Sequence, residues 1–217
     1  MPITLIEQKP TFHKKVEGEN KLAIAEMFVD TIQGEGINAG VPATFIRLQG
    51  CTLSCGWCDT LDVWPYGNEY SFNEVLDLLE PYKEKYRGGR QHIILTGGSP
   101  LKQQDRLIEF IRAFVERFQI YPVLECENEA VLMPKVELIR FIDTWNNSPK
   151  LSNSGMKDKI RRKIDVLQFM DNRVNFPSSS WFKFVVRDEK DWEEIERDFL
   201  PYIGKDRIIL MPEGQTQ

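Results

Sequence analysis

His92-Ile93-Ile94-Leu95-Thr96-Gly97-Gly98-Ser99-Pro100, followed by apolar residues at Leu107, Ile108, Ile111, Phe114, Val115 and Phe118, decides the fold class. A short apolar run stopped by Gly and Pro reads as a buried strand over 92–95. The three-and-four spacing after it reads as one face of a helix. The same unit recurs in both directions. Upstream, 22–29 and 43–48 read as strands. Ser71-Phe72-Asn73-Glu74 has the spacing of a capping box, opening a helix with Phe72, Val75, Leu76 and Leu79 on one face. Pro81 bends or ends that helix. Downstream, 121–126, 141–145, 181–187 and 207–211 read as strands, interleaved with helices over 134–140, 157–170 and 191–202. Residues 1–21 read as polar and irregular. Such alternation calls for parallel βα units, in a barrel or in an open doubly wound sheet. In a barrel the chemistry sits in the loops that follow strands. The cysteine loop after 43–48, and the loops at 97–100, 125–128 and 148–150, all fall there.

At 217 residues the chain has material for one core, and a single domain over 1–217 is expected. A net charge of −5 argues against nucleic acid or an anionic membrane as the main partner. There is no apolar run long enough to span a bilayer and no signal-peptide core at the N-terminus, so the expected location is cytoplasmic. The basic run Lys157, Lys159, Arg161, Arg162 and Lys163 reads as a solvated helix face. Two histidines and four cysteines leave the cysteines as the richest source of chemistry.

Cys51, Cys55 and Cys58 are spaced C-x3-C-x2-C on one loop. Three thiolates bind three irons of a cubane and leave the fourth iron open. Thiolates suit zinc as well as iron–sulfur clusters. Structural zinc, however, takes four protein ligands, commonly as paired knuckles, and no second pair follows. The cluster reading is favoured over zinc, and zinc over three merely buried cysteines. Cys126, in a strand, reads as core.

C-x3-C-x-aromatic-C, with Trp57 in the aromatic place, resembles the motif of radical S-adenosylmethionine enzymes. Thr96-Gly97-Gly98-Ser99-Pro100 resembles their Gly-Gly-Glu-Pro motif. Over almost the whole chain the sequence resembles the 7-carboxy-7-deazaguanine synthase family. That likeness is carried by Gln33-Gly34-Glu35-Gly36, Phe45-Ile46-Arg47, Trp57-Cys58-Asp59-Thr60, Leu124-Glu125, Ser148-Pro149-Lys150 and Phe182-Lys183-Phe184-Val185-Val186. The resemblance implies a partial, open (β/α) barrel that contracts 6-carboxy-5,6,7,8-tetrahydropterin to 7-carboxy-7-deazaguanine with loss of ammonia, on the way to queuosine-type nucleosides.

It implies a [4Fe–4S] cluster on Cys51, Cys55 and Cys58, S-adenosylmethionine, and a magnesium ion on Thr60. It also implies a reducing electron-donor protein and a homodimer. Ile32, Gln33, Gly34, Glu35, Arg47 and Thr96 match substrate positions. Trp57, Cys58, Asp59, Gly98, Ser99, Glu125, Ser148, Pro149, Lys150 and the loop Met211, Pro212, Glu213, Gly214 match cofactor positions. No side chain is assigned as a catalyst; the cofactor does the chemistry.

Three departures stand out. Ser99 replaces the acid of Gly-Gly-Glu-Pro. Glu125-Cys126-Glu127-Asn128 keeps only the first residue of the family's Glu-Thr-Asn-Gly. The sequence stops at Gln217, where relatives continue through a further helix and strand, so a C-terminal segment is missing or the site closes differently. Two rival readings are a glycyl-radical enzyme activase, which would need neither Gln33-Gly34-Glu35-Gly36 nor Arg47, and a zinc-stabilised binding module.

Overall fold

The computed structural model describes residues 1–7, 19–172 and 179–214. Most of the stretch read as irregular (8–18, with His13) and the last residues, 215–217, lie outside the described residues. Within 1–7 the irregular reading is corrected: Ile3–Ile6 is a strand, β1, pairing Ile3 with Val29 and Thr4 with Phe28. Four residues carry too little pattern to announce a strand by themselves.

The chain then runs β2 (Lys21–Ile32), β3 (Pro42–Leu48), β4 (Asn68–Ser71), α1 (Phe72–Leu79), α2 (Lys83–Tyr86), β5 (His92–Gly97), α3 (Gln104–Phe118), β6 (Leu124–Asn128), α4 (Val136–Ile139), β7 (Thr144–Asn147), α5 (Asp158–Arg161), α6 (Ile164–Asp171), β8 (Ser179–Val186), α7 (Glu189–Asp198) and β9 (Ile208–Pro212). The capping box forms: Glu74 N donates to Ser71 Oγ (3.3 Å) and Ser71 N to Glu74 Oε2 (2.7 Å). Past α1 the chain tightens into a 3-10 turn at Glu80–Tyr82 around Pro81 before α2.

The helix read over 157–170 is two helices, with Arg162 and Lys163 extended between them. Nor is the basic run wholly solvated. Arg161 is 2% exposed, pairs with Glu194 at 2.8 Å and donates to the Lys150 carbonyl at 2.7 Å. A buried guanidinium needs those partners.

Among the described residues the sheet has nine strands, in the order β1-β2-β3-β5-β6-β7-β8-β9, with β4 also on β2. From β3 to β9 every pairing is parallel, while β1, β2 and β4 run antiparallel at one side. β1 and β9 end the order without pairing to each other, so this is a partial, open (β/α) barrel.

The two-residue period of a strand divides each side chain set between the faces. On β3, Ile46 and Leu48 are fully buried in the core, while Phe45 and Arg47 line a cavity on the concave face. On β8, Phe182 and Phe184 enter the core and Lys183 and Val185 line the cavity. On β6, Leu124 and Cys126 are core, with Cys126 fully buried as its sequence context suggests.

Candidate active site

Leu48 hands the chain to the cysteine loop, and two glycines let the next strand's loop press against it. Gly97 adopts φ +131, and a Cβ on Gly98 would fall 2.4 Å from the Gly50 carbonyl oxygen and 2.7 Å from Cys51 Cβ. Only glycine permits that approach. From the other side, Gly56 N donates to the Ser154 carbonyl (3.0 Å) and Trp57 Nε1 to Asn153 Oδ1 (3.0 Å). Lys150 folds back onto Ser148, donating to its Oγ at 2.7 Å and its carbonyl at 2.8 Å. Its ammonium lies 5.7 Å from the Trp57 ring centre. The loops after β3, β5 and β7 therefore meet around the cysteines.

They enclose one end of a cavity of about 620 Å³. Cys51, Cys55 and Cys58 are free thiols on its wall. Burial pushes the Cys51 thiol up to about 11 and raises Cys55 as well, so a strong cationic centre is needed to hold them as thiolates. Among the described residues, no three His, Cys, Asp or Glu side chains gather around one point as a single metal ion requires. Three thiols of one loop match a cubane that keeps one iron for another ligand, and they fall one short of the four protein ligands of structural zinc. Thr60 Oγ1 lies 3.5 Å from Cys58 Sγ, at the cavity's edge.

The far end is polar. Gln33, 1% exposed, donates to Glu127 Oε1 (3.0 Å) and Glu125 Oε2 (3.2 Å), and its own Oε1 receives Glu35 N at 3.2 Å. Asn146 Nδ2 donates to the same Glu127 oxygen at 2.8 Å. Lys183 pairs with Glu35 and stands 3.8 Å from Glu127. Burial drives the two apart from their usual values, Glu127 up to about 7 and Lys183 down to about 8. Arg47 Nε donates to Glu26 at 2.6 Å, and its terminal nitrogens make no hydrogen bond among the described residues. Phe28 and Phe45 stack at 5.1 Å beside it, on the same wall.

Of the residues singled out from sequence, Ile32, Gln33, Gly34, Glu35, Arg47, Thr96, Trp57, Asp59, Thr60, Gly98, Ser148, Lys150 and Met211 to Gly214 all line this one cavity with the three cysteines. Ser99, Glu125 and Pro149 stand behind its wall. Glu125 is fully buried, with its oxygens on His92 Nδ1 (2.6 Å), Gln33 and Asn146. Two residues on, with the same strand face preserved, Glu127 reaches the cavity. Ala130, at φ +56, then holds the left-handed place that glycine favours. Reading the sequence alone misses Glu127, Glu129 and Lys183 as wall residues. The alternation of Glu125, Glu127 and Glu129 through β6 and into its loop was the signal for the two glutamates, and the place of Lys183 between the apolar Phe182 and Phe184 was the signal for the lysine.

Comparison with known proteins accords with this geometry. The Radical SAM superfamily matches residues 45–175. The 7-carboxy-7-deazaguanine synthase of Pyrobaculum aerophilum is 34% identical over 199 residues, covering 90% of this chain and 81% of its own length. That of Leptospira interrogans is 34% identical over 194 residues, covering 80% and 74%. In fold, the chain is similar to the crystal structure of QueE from Escherichia coli, with a TM-score of 0.65 and 23% identity over 91% of this chain and 85% of that one. A cysteine loop, a polar concave face and these relatives converge: the chain belongs to the radical S-adenosylmethionine superfamily and, within it, to the 7-carboxy-7-deazaguanine synthase family.

Proposed function

We propose that this chain converts 6-carboxy-5,6,7,8-tetrahydropterin to 7-carboxy-7-deazaguanine with loss of ammonia. The observation that carries the reading is the single cavity with three thiols at one end and the Gln33–Glu127–Lys183–Arg47 set at the other. Superfamily membership implies a [4Fe–4S] cluster and S-adenosylmethionine. When bound, they supply one-electron reductive cleavage and the hydrogen abstraction that follows from it.

The chain's own residues hold, orient and shield. Cys51, Cys55 and Cys58 are assigned to the cluster. Trp57, Asp59, Gly98, Ser148, Lys150 and Met211 to Gly214 surround the cofactor, with Ser99, Glu125 and Pro149 supporting them from behind. Ile32, Gln33, Gly34, Glu35, Arg47 and Thr96 receive the pterin. Gln33 and Glu127 present an acceptor and donor edge suited to a pterin's amide and amine. Glu26 holds the guanidinium of Arg47 by Nε and leaves a fork for the substrate carboxylate. Phe28 and Phe45 add an apolar wall that excludes water from the reacting carbon.

A magnesium ion on Thr60, a reducing electron-donor protein, a homodimer, a cytoplasmic location and a single domain over 1–217 complete the proposal. Among the described residues no helix is long and apolar enough to cross a membrane. The test is anaerobic incubation of the cluster-reconstituted chain with the carboxypterin, S-adenosylmethionine, magnesium and a reductant. 7-Carboxy-7-deazaguanine is the expected product. Glycyl-radical formation on a partner protein, with the pterin untouched, would favour the activase instead.

A further inference from the structure

Glu129 sits where β6 gives way to its loop, 3% exposed, on the cavity wall beside the cysteines. Its Oε1 receives two hydroxyl donors, Ser99 Oγ at 2.8 Å and Thr52 Oγ1 at 2.7 Å. Its Oε2 is buried with no hydrogen-bond partner. Among the described residues, no lysine or arginine forms an ion pair with it.

Burying half a carboxylate without a partner costs free energy, and folded proteins keep such an atom chiefly where something else arrives to satisfy it. The hydroxyls come from two different loops, Thr52 from the cysteine loop after β3 and Ser99 from the loop after β5. The carboxylate is therefore fixed from two sides rather than swinging free. Its donor Thr52 is the residue next to Cys51, and Glu129 lines the same cavity as the three cysteines, which places it close to whatever those cysteines hold. A fixed, half-satisfied anion beside that centre selects a ligand with a localised donor. S-Adenosylmethionine carries one at its α-amino nitrogen, whose N–H bonds can be donated to a carboxylate.

We propose that Glu129 receives the α-amino group of S-adenosylmethionine, with Ser99 and Thr52 as positioning residues. This rests on reading the cavity as a radical S-adenosylmethionine site. Ser99 is then no loss of function. The acid stands on the adjacent loop after β6, and the serine hydroxyl aims it.

The test is a binding cycle on the cluster-reconstituted chain under anaerobic conditions. The two ligands are S-adenosylmethionine and its analogue lacking the α-amino group. Glu129→Gln keeps the shape and removes the charge. It should weaken S-adenosylmethionine by about tenfold or more, the scale of a lost charge-assisted hydrogen bond, and leave the analogue unchanged. Glu129→Asp, which keeps the charge but draws it back by one methylene, reads the same cycle should the glutamine variant fail to load its cluster: relative to the parent it should lose affinity for S-adenosylmethionine and keep its affinity for the analogue. Equal losses for both ligands, or no loss for either, would overturn the assignment while leaving the wider reading intact. Failure of the parent chain to bind S-adenosylmethionine at all would sink both together.

Discussion

Glu127 Oε2 stands 3.8 Å from Lys183 Nζ, and burial draws the titrations of both groups toward neutrality from opposite sides. Glu125, Lys150 and the neutral amides of Gln33 and Asn146 also face Glu127, and Glu35 faces Lys183. Glu127 moves up from 4.5 to about 7, so between those values the folded chain keeps a proton that the unfolded chain has lost. Stability therefore falls as pH rises through that window. Lys183 moves down from 10.5 to about 8, so between about 8 and 10.5 the unfolded chain holds the extra proton and stability rises with pH. Thermal unfolding followed against pH should show both slopes. Glu127→Gln should remove the first, worth on the order of 3 kcal/mol at 1.36 kcal/mol per unit, and keep the second. An unchanged slope between pH 4.5 and 7 in the variant would place the titration elsewhere.

Arg47 is anchored by Glu26 through Nε, so its fork is aimed before any ligand arrives. Arg47→Lys keeps the charge and loses both the anchor and the second donor. Turnover of the carboxypterin should fall by about an order of magnitude or more, the usual sensitivity to misplacement, while uncoupled cleavage of S-adenosylmethionine persists. Measuring 7-carboxy-7-deazaguanine and 5′-deoxyadenosine in one reaction separates the two. Parent-like turnover would make Arg47 structural.

Cys51→Ala, Cys55→Ala and Cys58→Ala should each lose iron and cofactor cleavage. Cys126→Ala should keep both, because that thiol is buried in the core behind β6. Iron and sulfide quantification after anaerobic reconstitution decides it. Full loading in the Cys55 variant would contradict the ligand set.

Ser99 is fully buried with its hydroxyl on Glu129. Ser99→Glu alone would press a second carboxylate against the first without a counter-charge. The destabilisation should be about 3–5 kcal/mol, as for an uncompensated buried charge. Adding Glu129→Gln should recover much of it. Chemical denaturation of the single and double variants measures the coupling, and additive losses would mean the two side chains do not interact.

Much of this architecture is legible in the sequence because hydrophobic period reports which face is core. The stripe from Leu107 to Phe118 became α3, and 43–48 became β3 almost residue for residue. The reading strayed where burial is polar. β6 and β7 run on through half-buried Glu127 and buried Asn128, Asn146 and Asn147, which bond one another rather than packing on apolar neighbours, so a search for apolar runs stops short. The same blindness hid Arg161, whose partners Glu194 and the Lys150 carbonyl lie far away in sequence. The motifs located the site through the cysteine loop, Gln33 and Arg47. Which of Glu125, Glu127 and Glu129 faces the cavity depended on strand register, which local sequence does not state.

The carboxypterin and the deazaguanine differ by one ammonia, so the conversion is redox-neutral and S-adenosylmethionine can be regenerated after each turnover. The most direct measurement is an anaerobic reaction of the reconstituted chain that counts 7-carboxy-7-deazaguanine, ammonia and consumed S-adenosylmethionine together. Equal amounts of deazaguanine and ammonia, far exceeding the S-adenosylmethionine consumed, are the predicted result. Cleavage of S-adenosylmethionine with the carboxypterin recovered intact would contradict the account.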